Sequence, residues 1–370
     1  MYTIFLLKRG LNYKGVALVD GFYMISSALL DYPSGGLADR YGRGLVAALG
    51  CLSLSLGLLY YSVSRSLYQF LFSEFLAAIG TALYSGALIA WLADLLKKEG
   101  RMKELATILG KARLLSLLVS AVGAFIGGVM ADYRIELPFI TGAISAFSAF
   151  LTALLFARDK RGHVETREQR YIDILRRGMI VLIRTKPLIM LTASAFFITL
   201  AIPSFNLTWA PYMENLCASK RLLGFTSFLF MITAGLGGYT GGLLTRYLGY
   251  RRVAICSLMC MSSSLALLTI VGNLYAFIAI ALLYEIGFGA IGPTLNAWIN
   301  EYIPSRERAT VISLRRTLML PFSALGMAIM GILSDLWSPR IAYLFSSITV
   351  ALSLPYILKA QEKKIKDKAK

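Results

Sequence analysis

GGLADRYGR, residues Gly35–Arg43, stands between two apolar stretches, about Val16–Gly36 and Gly44–Val63. Each is close to the roughly 20 residues a helix needs to cross a bilayer. A short connection rich in glycine and charge between two such stretches reads as a turn at a membrane surface. Gly36 permits close helix approach, Gly42 permits a tight turn, and Asp39 is an anion placed to meet a helix N-terminus or an arginine. The same pattern returns about 206 residues later: GGL and RY recur at Gly241–Leu243 and Arg246–Tyr247, with Thr245 in place of the acid.

The repeat extends outward from this loop. Ile79, Gly80, Ala90, Trp91 and Asp94 return as Ile286, Gly287, Ala297, Trp298 and Glu301, and Ala106, Arg113, Gly128 and Asp132 return as Ala309, Arg316, Gly331 and Asp335. Eleven apolar stretches have spanning length: about Val16–Gly36, Gly44–Val63, Phe70–Leu92, Leu114–Ala131, Leu137–Phe156, Leu188–Trp209, Gly224–Thr245, Val253–Val271, Leu274–Ala297, Thr317–Leu333 and Ile341–Leu358. We number these spans 2 to 12. Equivalent spans run in the same direction, so the halves are parallel repeats about an axis along the membrane normal. The counterpart of span 7 would begin roughly 18 residues before Met1 on this register, and a helix needs about 20 residues to cross. Met1–Leu7 is therefore read as the remnant of a first span: the expectation is that its start lies upstream, the alternative that the protein has eleven spans. The organisation expected is an N-terminal bundle over 1–156, a linker over 157–187, a C-terminal bundle over 188–358 and a basic tail over 359–370.

Composition agrees with a lipid solvent. Of 370 residues, 57% are hydrophobic and 16% charged, against roughly 25% charged in soluble domains, and the mean hydropathy is +0.66. The net charge of +18 would suggest nucleic acid in a soluble protein, but its placement says otherwise. With alternating spans, 30 of the 38 Lys and Arg fall on one side, that of Arg40, Arg43, the 157–187 linker and the C-terminal tail. The positive-inside rule makes that side cytoplasmic, so a multi-pass plasma-membrane protein with a cytoplasmic C-terminus is expected, with no nucleic-acid partner. Four cysteines and one histidine, His163, provide no metal site of usual spacing. No nucleophile, histidine and acid grouping suggests an enzyme, and no cofactor is expected.

GGLADRYGR resembles the signature loop of the major facilitator superfamily, roughly G, x, L, A, D, R, x, G, R. With the six-plus-six repeat and the long central linker, the resemblance covers practically the whole chain. It implies an all-α membrane fold of two six-helix bundles working by alternating access. It also implies that Asp39, Arg40 and Arg43, with Gly36, Gly42 and the preceding Asp31, form a cytoplasmic gate. Two departures stand out: GAFIGG, Gly123–Gly128, has Ala124 where many exporters carry proline, and span 4 shows Glu74 where many proton-coupled members carry an arginine.

By the same resemblance, spans 1, 4, 7 and 10 line the transport cavity. An ionised group near the bilayer centre costs on the order of 2.5 to 3.5 kcal/mol, so an acid there is expected to face water. Glu285 lies about 11 residues into span 10, near the midplane at 1.5 Å per residue, and its repeat equivalent is Ala78. Glu285, Gly289, Gly292, Asn296 and Asn300 share one face of span 10; Glu74, Ala78, Thr81 and Ser85 share one of span 4; Thr192, Thr199 and Asn206 recur every seven residues on span 7. The candidate substrate and proton pathway is thus Glu285, Glu74, Asn296, Asn206, Thr199, Ser85 and Thr81. Asp20 and Asp31 lie nearer the ends of span 2, where solvated or interface-paired acids are as natural a reading. Without a GxxxxGK[ST] loop, the energy source expected is an ion gradient. The expected function is proton-coupled transport of a small neutral or cationic solute, in the export direction, by a monomer. The alternative is a receptor or scaffold that retains the fold without transporting.

Overall fold

A computed structural model of the chain describes residues 2–101, 104–157, 179–304 and 308–362. The regular elements among them are α-helices, and ten are long and apolar enough to cross a membrane. The chain divides into two compact units, Met1–Arg167 with Ser219–Ser227, and Glu168–Ala218 with Phe228–Lys370.

The first unit holds α1 (Tyr2–Lys8), α2 (Tyr13–Tyr41), α3 (Arg43–Val63), α4 (Leu67–Lys98), α5 (Leu105–Tyr133) and α6 (Leu137–Phe156). Local chemistry sets their ends. The Asn12 side chain accepts the Gly15 amide to start α2, and Ser66 and Gln69 form a reciprocal capping box at α4, satisfying donors that the first turn leaves free. Between α2 and α3 a single residue, Gly42, breaks the helix at φ +99°, a conformation side chains resist. α3 packs on α4 and α6, and α2 on α4. Phe5, Tyr61, Phe70 and Phe139 interlock at one end of this bundle, with ring centroids 4.6 to 6.0 Å apart.

The second unit is built from α7 (Lys186–Asn215), α8 (Lys220–Leu248) from Phe228 onward, α9 (Tyr250–Leu268), α10 (Leu274–Asn300), α11 (Arg308–Leu336), α12 (Pro339–Ala351) and α13 (Leu354–Lys359). It restates the first. Gly249 separates α8 from α9 at φ +80°, as Gly42 separates α2 from α3. A Cβ on Gly80 would stand 2.8 Å from the Gly50 carbonyl oxygen, and one on Gly287 would stand 2.7 Å from that of Ser257. The two crossings are the same crossing 207 residues apart. Here small residues let backbones meet, which is how helices associate where lipid removes the usual hydrophobic drive.

By the register of the repeat, α1 matches the last two turns of α7. One stretch of the C-terminal half clusters with the first unit: in Ser219–Ser227, Gly224 meets Gly128 of α5, where an added Cβ would lie 2.5 Å from the Gly224 Cα. Arg221 Nε also stands 2.8 Å from Asp132 Oδ2. Gly128, the last glycine of GAFIGG, therefore serves a helix contact. Within the 157–187 linker, residues 179–184 are helical; most of the linker and of the basic tail lies outside the described residues.

Candidate transport sites in the two units

In the first unit, Glu74 sits seven residues into α4 and is 9% exposed. Its Oε1 accepts the Tyr2 hydroxyl at 3.1 Å. Two turns further along α4, Thr81 is half-buried, donates to the Ala77 carbonyl at 2.9 Å and lies 3.1 Å from the Tyr23 hydroxyl of α2. Glu74 and Thr81 share the wall of a cavity of about 230 Å³ with Tyr2, Tyr23, Tyr61 and Phe139. Two of the expected pathway residues thus reach one space. The side chain of Ser85 lies outside the described residues.

The other expected pathway residues belong to the second unit. Glu285 is eleven residues into α10 and 8% exposed, and among the described residues no hydrogen-bond partner reaches its carboxylate. Beside it, Tyr284 packs between Phe205 of α7, at 4.6 Å, and Phe288, at 6.0 Å. The face expected to form a polar stripe divides. Gly289 packs backbone to backbone on Ala234 of α8, while Gly292 has nothing within 4 Å of where a Cβ would stand. Asn296 is exposed, and its Oδ1 is 3.4 Å from Arg315 Nη1 of α11. On α7, Thr192 Oγ1 is buried without a partner among the described residues, Thr199 is half-buried and Asn206 is exposed. This row runs from the packed interior to an open surface.

In the GGLADRYGR loop, Gly42 takes the positive-φ backbone that a tight turn requires. Arg43 Nη1 pairs with Asp94 Oδ2 of α4 at 2.6 Å. Arg40 is exposed, its guanidinium 5.4 Å from the Tyr41 ring centroid. Asp31 is exposed and its carbonyl accepts the Ser34 hydroxyl at 2.8 Å. Gly36 lies within α2, and the side chain of Asp39 falls outside the described residues. Three residues were missed in the sequence. Asp94 was visible only as an acid kept as Glu301 in the repeat, Tyr2 had no signal in a seven-residue remnant, and Arg315 was passed over for its neighbour Arg316.

The family model described as Major Facilitator Superfamily matches residues 2–211 and again 189–370, one match for each half of the repeat. The chain belongs to the major facilitator superfamily. Among its relatives, multidrug resistance protein 1 of Bacillus subtilis (strain 168) is 23% identical over 93% of this chain and 86% of its own. Quinolone resistance protein NorA of Staphylococcus aureus (strain MSSA476) is 19% identical over 94% and 88%. The crystal structure of the nucleoside transporter NupG superposes with a TM-score of 0.80 at 12% identity, covering 97% of this chain and 94% of that one, a likeness of fold. The protein is a multi-pass membrane transporter of small solutes.

Proposed function

We propose that the chain is a proton-coupled exporter that works by alternating access, with Glu285 as the proton-linked acid and with the ends bearing Gly42 and Gly249 facing the cytoplasm. The observation that carries this reading is the Glu285 carboxylate itself, held at the middle of α10, 8% exposed and without a countercharge among the described residues. Such a group is costly to keep in a membrane, and its repeat equivalent is Ala78, so the duplicated scaffold does not require it. A carboxyl that is neutral in one access state and ionised in the other links solute movement to a pH gradient, provided solute binding changes its proton affinity.

The export direction draws on relatives named for multidrug and quinolone resistance. Thr199, Asn206 and Asn296 in the second unit and Thr81, Ser85 and Glu74 in the first are the proposed solute contacts, polar positions on α4, α7 and α10. The molecule acts as a monomer, since each chain carries both units. In proteoliposomes, a fluorescent quinolone is expected to accumulate when a pH gradient is imposed on the wild type. Glu285→Gln, which mimics the protonated acid, is expected to keep quinolone exchange and lose gradient-driven accumulation. Normal accumulation by the variant would move the coupling role to another residue.

A further inference from the structure

The polar side chains on the wall of the first unit's cavity are Glu74, Tyr2, Tyr23, Tyr61, Ser73 and Thr81. The other walls are apolar side chains and Gly57, and no basic side chain among the described residues lines it. The hydrogens of the six polar groups are unevenly committed. Tyr2 donates its hydroxyl hydrogen to Glu74 Oε1 at 3.1 Å. Ser73 donates to the Gln69 carbonyl at 3.0 Å and Thr81 to the Ala77 carbonyl at 2.9 Å. Because the Thr81 hydrogen is spent there, Tyr23 is the donor in its 3.1 Å contact with Thr81. What faces the cavity is therefore a carboxylate, which accepts only, and hydroxyl oxygens with lone pairs to spare. Among the six, the uncommitted hydrogen belongs to Tyr61, which is 3% exposed and whose hydroxyl is buried without a partner among the described residues.

From this surplus of acceptors we infer that the cavity binds a small protonated amine, with Glu74 as its countercharge and the Tyr61 and Tyr23 hydroxyl oxygens accepting its remaining N–H groups. The inference rests on the assignment of Glu74 and Thr81 as solute contacts and names the chemistry they read. An anion would face the Glu74 charge with a single free donor to hold it. A neutral apolar occupant would leave the carboxylate and the Tyr61 hydroxyl unsatisfied inside a membrane, where such groups are costly. A primary or secondary ammonium brings both the charge and the donors, and charge-assisted hydrogen bonds are the strong ones. A metal ion would draw its oxygens to about 2.0–2.6 Å from one point, whereas these stand around a space of about 230 Å³. That volume lies below the roughly 300 Å³ at which pockets for drug-sized ligands begin. At about 30 Å³ for each water-sized group it admits about seven non-hydrogen atoms, the size of a small aliphatic or cyclic amine.

The test is a set of ligand-observed NMR titrations on the full chain in detergent, at about pH 7, where an aliphatic amine is protonated. The probes are piperazine, charged and with N–H donors; tetramethylammonium, charged and without them; and 1,4-dioxane, with neither. Piperazine is expected to bind, tetramethylammonium to bind at least about tenfold more weakly, and dioxane not to bind. Glu74→Gln is expected to weaken piperazine at least about tenfold, and the milder Tyr61→Phe, which keeps the ring, about threefold, with Tm confirming a folded chain. Dioxane or tetramethylammonium binding as tightly as piperazine would overturn the proposal, the first by making the cavity a plain apolar void and the second by removing the role of N–H donors. Three further results would also overturn it: no binding of any probe, which leaves water and a neutral carboxyl; displacement of piperazine by equimolar sodium; and loss of binding in Glu285→Gln but not in Glu74→Gln. Binding is read here without transport. Failure to bind amine therefore leaves the exporter reading standing, and failed quinolone accumulation with intact piperazine binding would overturn the exporter reading alone.

Discussion

Arg43 and Asp94 tie the first residue of α3 to the last turns of α4, with Arg43 Nη1 2.6 Å from Asp94 Oδ2. The pair is partly open to solvent, with side-chain exposures of 28% and 48%, so it contributes about 0.2–1 kcal/mol to stability. Its importance lies in which conformation it favours. Asp94→Asn is expected to leave Tm nearly unchanged and to cut quinolone flux about fivefold or more, the scale of a coupling of about 1 kcal/mol between states. Exchanging the two charges should restore part of that flux. Asp39→Asn tests the neighbouring acid of the same loop, and unchanged flux there would leave Asp39 as a topological charge only.

The paired glycine crossings give a stability prediction. Gly80→Ala and Gly287→Ala each push a methyl against backbone, at 2.8 and 2.7 Å. Overpacking of this kind costs about 1–3 kcal/mol, read as a lower Tm in detergent. Gly292→Ala, which meets nothing within 4 Å, should leave Tm where it is.

Orientation is checked by cysteine labelling. Cys217, exposed just after α7, is expected to react with an impermeant maleimide in intact cells, while Cys51, Cys256 and Cys260 stay shielded by lipid. Labelling of Cys217 only after lysis would reverse the assignment of cytoplasmic ends.

The connection between α4 and α5 carries a pH-sensitive network outside the membrane-spanning helices. Arg101 donates to Glu104 at 2.8 and 2.9 Å and to Glu99 at 3.0 Å, and these hydrogen bonds hold the Glu104 carboxyl below the usual glutamate range. A depressed carboxyl adds order that is present above its unfolded pKa of roughly 4.3 and lost as pH falls through its folded value. The Glu104 side-chain NMR titration should therefore lie on the acid side of that figure, and Arg101→Ala should return it.

Much of the fold was readable from local pattern, and the reasons are visible residue by residue. Gly42 could be assigned a turn because glycine between a basic residue and an apolar run has few other uses, and the structure gives it φ +99°. The repeat aligned Arg40–Tyr41 with Arg246–Tyr247 and Gly80 with Gly287, and the structure adds a glycine break just beyond each RY pair and a close crossing at each of the two glycines. The sites were less legible because burial and partnership depend on other helices. Gly289 shared a helical face with Glu285, yet it serves contact with α8. Glu74 stood on a readable helical face, yet nothing in linear depth reveals that Tyr2, on a seven-residue helix, reaches across to it. Asn206 and Asn296 are both exposed, a property set by packing that periodicity does not describe.

Coupling through Glu285 is tested most directly by driving the cycle from the solute side. A quinolone gradient is imposed on proteoliposomes at equal pH and zero membrane potential, with a pH dye inside. The wild type is expected to move protons opposite to the quinolone, and Glu285→Gln to exchange quinolone while moving none. Quinolone flux through the wild type without proton movement, or proton movement that survives in Glu285→Gln, would contradict the account.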